Sequence, residues 1–245
     1  DAEVPHGSVS AIILAGGVGK RMGANIPKQY LELHGTPIAA YSLETFSAMP
    51  EVGEIVVVCL EDWEYIFRDA YAKLDKSHQK PLLWARPGAE RQDSVYNGLQ
   101  KANPNSQLVA IHDSARPLIT REDAKNCMSD AIRAGAAVLG VPVKPTIKEV
   151  NEDGTVIQTL DRSKLWEVQT PQCIRPKLLQ EGFDNVKQNN LEVTDDVSIV
   201  EALGKPVVIT KGSYTNIKVT TPEDMSVALR FLSDAQSESE CVGAA

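Results

Sequence analysis

The chain is 245 residues long, 42% hydrophobic and 24% charged, with a net charge of −8, a length that fits one large domain able to bury its own core without staples. The acidic balance argues against broad binding to nucleic acid or membrane, and no apolar run reaches membrane-spanning length. The four cysteines, at 59, 127, 173 and 241, have neither zinc spacing nor the look of a secreted disulfide framework, which points to a reducing compartment.

Residues 1–7 read as a flexible start. The apolar run 11–14 predicts a buried strand that opens into a loop carrying Ala15, Gly16, Gly17, Gly19 and Gly23. Glycine lets backbone approach a ligand closely, and exposed N–H groups in such a turn form a concavity suited to anions. Lys20 and Arg21 inside the loop, and Lys28 just beyond it, add full charges where phosphate oxygens would sit. A lone glycine loop reads more plainly as a tight strand-to-helix turn; three cations in so short a span favour phosphate. Neither common phosphate motif fits. Lys20 is followed by Arg21 rather than Ser or Thr, and Met22 stands where the dinucleotide fingerprint needs its third glycine.

Helical spacing follows over 38–47 and 63–74, with a β-branched strand at 54–60 and a short strand at 82–85. Residues 93–102 predict a helix capped by Asp93, residues 108–112 a buried strand, 121–135 a helix ended by its glycine, and 136–141 another strand. Strands alternating with helices argue for an α/β fold with a mostly parallel central sheet, whose ligands gather beyond the carboxyl ends of the strands.

The rhythm breaks after residue 141. Two segments of alternating polarity, 146–150 and 155–160, flank the turn residues Asn151, Glu152, Asp153 and Gly154 and predict a protruding β-hairpin within an arm spanning 142–164. Ile147, Val150, Val156, Ile157 and Leu160 would leave it apolar and bare, which calls for a partner chain. The alternative is a hairpin folded onto its own domain. Beyond it, 165–170, 207–209 and 216–219 predict strands, and 176–189 and 195–203 helices. A last helix starts at Thr221 and Pro222 and runs to about Leu232, followed by a flexible tail over 234–245, so that one domain covers 8–233.

The loop residues Leu14 to Gly17, Gly19, Arg21 to Gly23 and the run Pro27-Lys28-Gln29-Tyr30 resemble the signature of sugar-phosphate nucleotidyltransferases. The last run is similar to one branch, the 2-C-methyl-D-erythritol 4-phosphate cytidylyltransferase family of the non-mevalonate isoprenoid pathway. The likeness covers nearly the whole domain. It implies a Rossmann-like nucleotidyltransferase fold. It also implies CTP and 2-C-methyl-D-erythritol 4-phosphate as substrates, with Mg²⁺ or another divalent cation held mainly on the CTP phosphates. The expected assembly is a homodimer whose arms carry substrate residues into the neighbouring site.

Matched to that family, residue roles follow. Ala15, Gly16, Gly17, Gly19 and Lys20 cradle the nucleotide, and Gly88 and Ser94 read the cytosine base. Taken bare, Gly88 is a turn and Ser94 a cap. Ala89 stands where the family often has an acidic residue. Asp113, Ser114 and Arg116 follow a strand end; unaided, Asp113 and Arg116 suggest an ion pair, a metal ligand or a sugar-hydroxyl contact. The resemblance sets Asp113 and Ser114 by the ribose and gives Asp113 and Arg116 to the acceptor. His112 reads as structural. Thr146, Arg162 and Thr170 are plain polar residues alone; the resemblance lines the acceptor pocket with them across the dimer interface. Lys218 matches a late lysine motif. The expected catalytic set is Arg21 and Lys28 on the α-phosphate and pyrophosphate, with Arg162 and Lys218 holding the acceptor phosphate in line. No triad or zinc-protease motif is present, and a phosphate monoester oxygen is already anionic and needs no base.

Two other readings stay open: a ribitol 5-phosphate cytidylyltransferase, and a non-catalytic nucleotide-binding protein. The expected compartment is the chloroplast stroma, with the bacterial cytoplasm as the alternative. The first residue, Asp1, fits either a removed transit peptide or a trimmed start.

Overall fold

The computed structural model describes residues 2–17 and 26–243. The first strand, β1 (Val9–Leu14), is followed by a two-stranded ribbon of β2 (Glu32–Leu33) and β3 (Thr36–Pro37), then α1 (Ile38–Ser47) and β4 (Val52–Val58). Next come α2 (Glu64–Ala72), β5 (Leu82–Ala85), α3 (Arg91–Leu99), β6 (Leu108–Asp113), α4 (Arg121–Ala134) and β7 (Ala136–Pro142). The arm holds β8 (Lys148–Val150) and β9 (Val156–Thr159); after it come β10 (Trp166–Ile174), α5 (Pro176–Asn189), α6 (Asp196–Glu201), β11 (Val208–Lys211) and α7 (Pro222–Gly243).

Seven strands form one sheet in the order β11-β7-β10-β6-β1-β4-β5. All its pairings are parallel except those of β10, which lies antiparallel between β6 and β7. Burial on both faces explains the unbroken apolar runs. On β1 and β4, Ala11, Ile13, Ile55 and Val57 face α1, α2 and α4, meeting Leu43, Phe46, Phe67 and Met128. Ile12, Val56 and Val58 face the opposite layer of α3, α5 and α6, meeting Val95, Leu99, Leu179 and Ile199. No helix among the described residues is long and apolar enough to cross a membrane.

Several expectations shift. Residues 2–8 lie against the body: Val4 is buried, Ser129 donates to the Ala2 carbonyl at 2.8 Å, and the Gly7 N–H reaches the Pro50 carbonyl. Helix α7 runs on to Gly243, because no proline or glycine interrupts it earlier. Helix α3 starts at Arg91, with the Asp93 carboxylate reaching back to the Glu90 N–H at 2.9 Å, so Asp93 caps from inside the helix. Residues 216–219, expected as a strand, are irregular. Their backbone is held by single bonds: Arg116 donates to the Asn216 carbonyl at 2.7 Å, and the Val219 N–H to the Ala115 carbonyl at 2.8 Å.

The arm is a two-stranded antiparallel ribbon, with Lys148 opposite Thr159 and Glu149 opposite Gln158. It is not folded down onto its own body: Val150, Val156 and Ile157 are each more than half exposed.

Candidate active site

A cleft of about 380 Å³ opens at the carboxyl ends of β1, β5 and β6, the position expected for a ligand in such a sheet. It is lined by Gly16 and Gly17 leaving β1, by Lys28 and Gln29, by 87–91 and Ser94 at the start of α3, by 113–115 leaving β6, and by Lys218.

The run Lys28-Gln29-Tyr30 anchors the glycine loop. The Gln29 amide donates to the carbonyls of Ala15 (2.8 Å) and Gly17 (2.7 Å), and the Tyr30 hydroxyl donates to the same Ala15 carbonyl at 2.8 Å. Tyr30 stacks on Trp63 with centroids 4.6 Å apart, and burial pushes its hydroxyl well above the usual phenol range. Opposite the loop, Gly16 passes so close to Pro87 that a Cβ would come within 2.5 Å of that ring. Gly88 packs equally tightly on Asp93, where a Cβ would sit 2.1 Å away. The Gly88 N–H donates to the Ser94 hydroxyl oxygen at 3.0 Å, and that hydroxyl donates to the Glu90 carbonyl. The two glycine turns are thus set face to face by packing, with backbone close to the cleft.

Asp113 is the electrostatic centre. One carboxylate oxygen accepts from Arg91 at 3.1 and 3.2 Å, the other from Lys218 at 2.6 Å. Burial alone would raise this acid; Arg91 and Lys218 outweigh burial and hold it well below the usual carboxylate range. Arg91 also grips Asp196 with two bonds, at 2.7 and 2.9 Å. Asp196 is buried, and burial raises its carboxyl against the pull of Arg91.

Behind Asp113 lies a closed polar network. The Asp113 N–H donates to the Thr170 hydroxyl oxygen at 3.1 Å. His112 has Nδ1 at 3.0 Å from that oxygen and Nε2 at 3.1 Å from the Arg116 carbonyl. Burial depresses the ring to about 4, so it is neutral at ordinary pH. A carbonyl can only accept, so Nε2 carries the ring proton and Nδ1 accepts from Thr170.

The cleft therefore unites Gly16, Gly17, Lys28, Gly88, Ser94, Asp113, Ser114 and Lys218. Ala15 is buried beside it. Thr170 is 3% exposed and faces Asp113 from behind. The Arg116 guanidinium turns to the Asn216 carbonyl rather than to Asp113. Thr146 is exposed on the arm, and Arg162 donates to the Lys144 carbonyl at 2.7 Å; neither lines the cleft of its own chain. Gly19, Lys20 and Arg21 lie outside the described residues. Sequence reasoning passed over Arg91, Asp196 and Gln29. Arg91 and Asp196 are 105 residues apart and meet only through the fold. The available signal was that each sits in the first turn of a helix facing the site.

Among the described residues, no three His, Cys, Asp or Glu side chains gather to hold a metal. Both oxygens of Asp113 are already occupied by cations. This donor set suits phosphate rather than a resident cation.

A parallel-rich sheet whose first strand empties into a glycine turn, under lysines from distant parts of the chain, is the arrangement of a nucleotidyltransferase. Residues 9–234 match the family described as 2-C-methyl-D-erythritol 4-phosphate cytidylyltransferase, and the chain belongs to that family. It is 57% identical over 231 residues to the chloroplastic enzyme of that name from rice, covering 94% of this chain and 76% of the relative. Identity is 42% over 226 residues to the same-named protein of Desulforamulus reducens, covering 92% and 96%. A solved 4-diphosphocytidyl-2C-methyl-D-erythritol synthase from Anaerococcus prevotii superposes with a TM-score of 0.81 at 29% identity, covering 92% of this chain and 98% of the other. The Thermus thermophilus structure of the family gives 0.72 at 30% identity, covering 91% and 98%.

Proposed function

We propose that the chain transfers CMP from CTP to the phosphate of 2-C-methyl-D-erythritol 4-phosphate, releasing pyrophosphate. The observation that carries this reading is the convergence of Lys28, Lys218 and two glycine turns on one cleft. Its volume lies within the usual range for small-molecule sites.

The acceptor phosphate attacks the α-phosphorus of CTP through an oxygen that is already an anion. The protein's task is to bring two repelling groups together and to steady the crowded phosphorus. Lys28, with Arg21, would neutralise the charge that develops on the α-phosphate and the leaving pyrophosphate. Gly88 and Ser94 would read the cytosine edge with backbone groups and a hydroxyl. The nucleotide would also meet Ala15, Gly16, Gly17, Gly19, Lys20 and Ser114. Asp113 and Arg116 would take the ribose and acceptor side. Lys218 would leave Asp113 in part to hold the acceptor phosphate. A divalent cation such as Mg²⁺ would enter on the CTP phosphates and screen their charge.

Thr146 and Arg162 of the partner subunit would complete the acceptor pocket, the arms pairing two chains, while Thr170 backs it from within the same chain as Asp113. The bare Val150, Val156 and Ile157 on the arm support this assembly. Membership of a family that includes a chloroplastic rice enzyme supports the chloroplast stroma as the compartment. Pyrophosphate release with CTP and each polyol phosphate tests the reading: turnover with 2-C-methyl-D-erythritol 4-phosphate supports it, and turnover only with ribitol 5-phosphate replaces it.

A further inference from the structure

His112 lies inside the sheet, opposite Ile13 of β1, with no exposed surface and the edge of Phe46 against its ring. An apolar side chain would fill that space. The ring instead uses both nitrogens, each on a residue beside the cleft: Thr170 of β10, 58 positions on, and Arg116, four positions on. A buried ring satisfied at both nitrogens specifies one arrangement of the two groups it meets.

We propose that His112 is a positioning residue for the acceptor side of the cleft, tying Thr170 and the Arg116 backbone to the strand that carries Asp113. Thr170 has one hydroxyl proton, and it points at Nδ1. Its oxygen accepts the Asp113 N–H. Thr170 is thereby aimed at Asp113 as an acceptor, with no proton left to offer a phosphate. The Nε2 bond pins the carbonyl of Arg116, whose side chain holds the segment leading to Lys218 through the Asn216 carbonyl. One ring thus joins β6, the loop after it and β10. The inference rests on the reading that Asp113, Arg116 and Lys218 serve the acceptor phosphate.

Two substitutions separate the bonds. H112Q keeps a donor near Nε2 and loses the Nδ1 acceptor; H112N keeps an acceptor near Nδ1 and loses the donor. Steady-state kinetics of H112Q, T170V and the double variant give the test. H112Q is expected to raise the acceptor KM about tenfold while the CTP KM stays within about twofold. Added to T170V it should change nothing further, because both remove the same bond. An unchanged acceptor KM, a CTP KM rising in step, or additive losses in the double variant would overturn the proposal.

A second measurement does not depend on turnover. Long-range ¹H–¹⁵N spectra of the wild-type protein at pH 7 should show His112 as the Nε2–H tautomer, and H112N should leave the Asp113 amide slow to exchange. An Nδ1–H or doubly protonated ring, or a fast-exchanging amide in H112N, contradicts the network. If the wild type makes no cytidylyl product while the spectra agree, the acceptor-phosphate reading fails and the tie to Asp113 stands.

Discussion

Lys218 Nζ lies 2.6 Å from Asp113 Oδ2, a pair joined across 105 residues. The contact keeps a cation at the wall of the cleft. Asp113 is the more buried member, and a second cation, Arg91, shares it. Asp113→Ala therefore leaves Arg91 and Lys218 facing each other without their common anion. Because both cations are about a third exposed and Arg91 keeps Asp196, the expected cost is about 1–3 kcal/mol, below that of a fully buried pair. Urea unfolding of the variant checks it; a loss below about 1 kcal/mol would mean that the cluster is no structural anchor.

Lys28 borders the glycine turn on the side where the triphosphate is expected. Lys28→Ala should lower kcat by about 100-fold, with CTP affinity changed by only about threefold, because its charge acts mainly on the transition state. Single-turnover rates and equilibrium CTP titration separate the two effects. A variant that loses CTP affinity and keeps its rate would assign Lys28 to ground-state binding.

Gly88 has no room for a side chain, since a Cβ would stand 2.1 Å from Asp93. Gly88→Ala must displace the first turn of α3 and with it Ser94 and Arg91. The variant should melt lower and bind CTP at least about tenfold more weakly, as overpacking typically costs 1–3 kcal/mol. Unchanged CTP binding would show that the turn is not part of the nucleotide site.

The architecture was largely legible because each sheet strand buried on both faces is a continuous apolar run, as in residues 54–60, and each connecting helix carries one apolar stripe. The hairpin announced itself through alternation around Asn151 to Gly154. Strand direction was not legible. An antiparallel β10 has the same composition as a parallel one, and only its partners Val109, Ala110 and Ile111 reveal its sense. Residues 216–219 alternate like a strand yet find no ladder, because side chains of Arg116 and Asn216 take up the local polar groups. In the site, glycines and lysines stood out by type. The Arg91–Asp196 clamp did not, as helix-start arginines and aspartates are ordinary in any α/β chain.

Acid stability should carry the mark of His112. Its pKa falls from 6.5 to about 4 on folding. The unfolded chain therefore binds the extra proton between those values, and stability drops as pH falls from about 6.5 to 4, by up to about 3 kcal/mol. Asp113, held low, keeps its contribution until the pH falls further. Asp196, raised by burial, works in the opposite sense. Urea midpoints across pH 4–7 should slope in the wild type and flatten in His112→Gln. An equal slope in both would assign the acid loss to other groups.

The proposed sharing of the site between two chains can be tested with mixed subunits. Arg162→Ala and Lys218→Ala proteins should each be nearly inactive, and co-refolded pairs should regain activity, since one site per heterodimer then receives both native side chains. No recovery on mixing would place both residues in the same chain's site.

Pyrophosphate release by the purified protein with CTP, a divalent cation and 2-C-methyl-D-erythritol 4-phosphate tests the central claim most directly. Release that depends on this acceptor, exceeds that with ribitol 5-phosphate and falls about 100-fold in Lys218→Ala is the expected result. Release that ignores the acceptor, or survives the loss of Lys218 undiminished, would contradict a cleft built to join two phosphates.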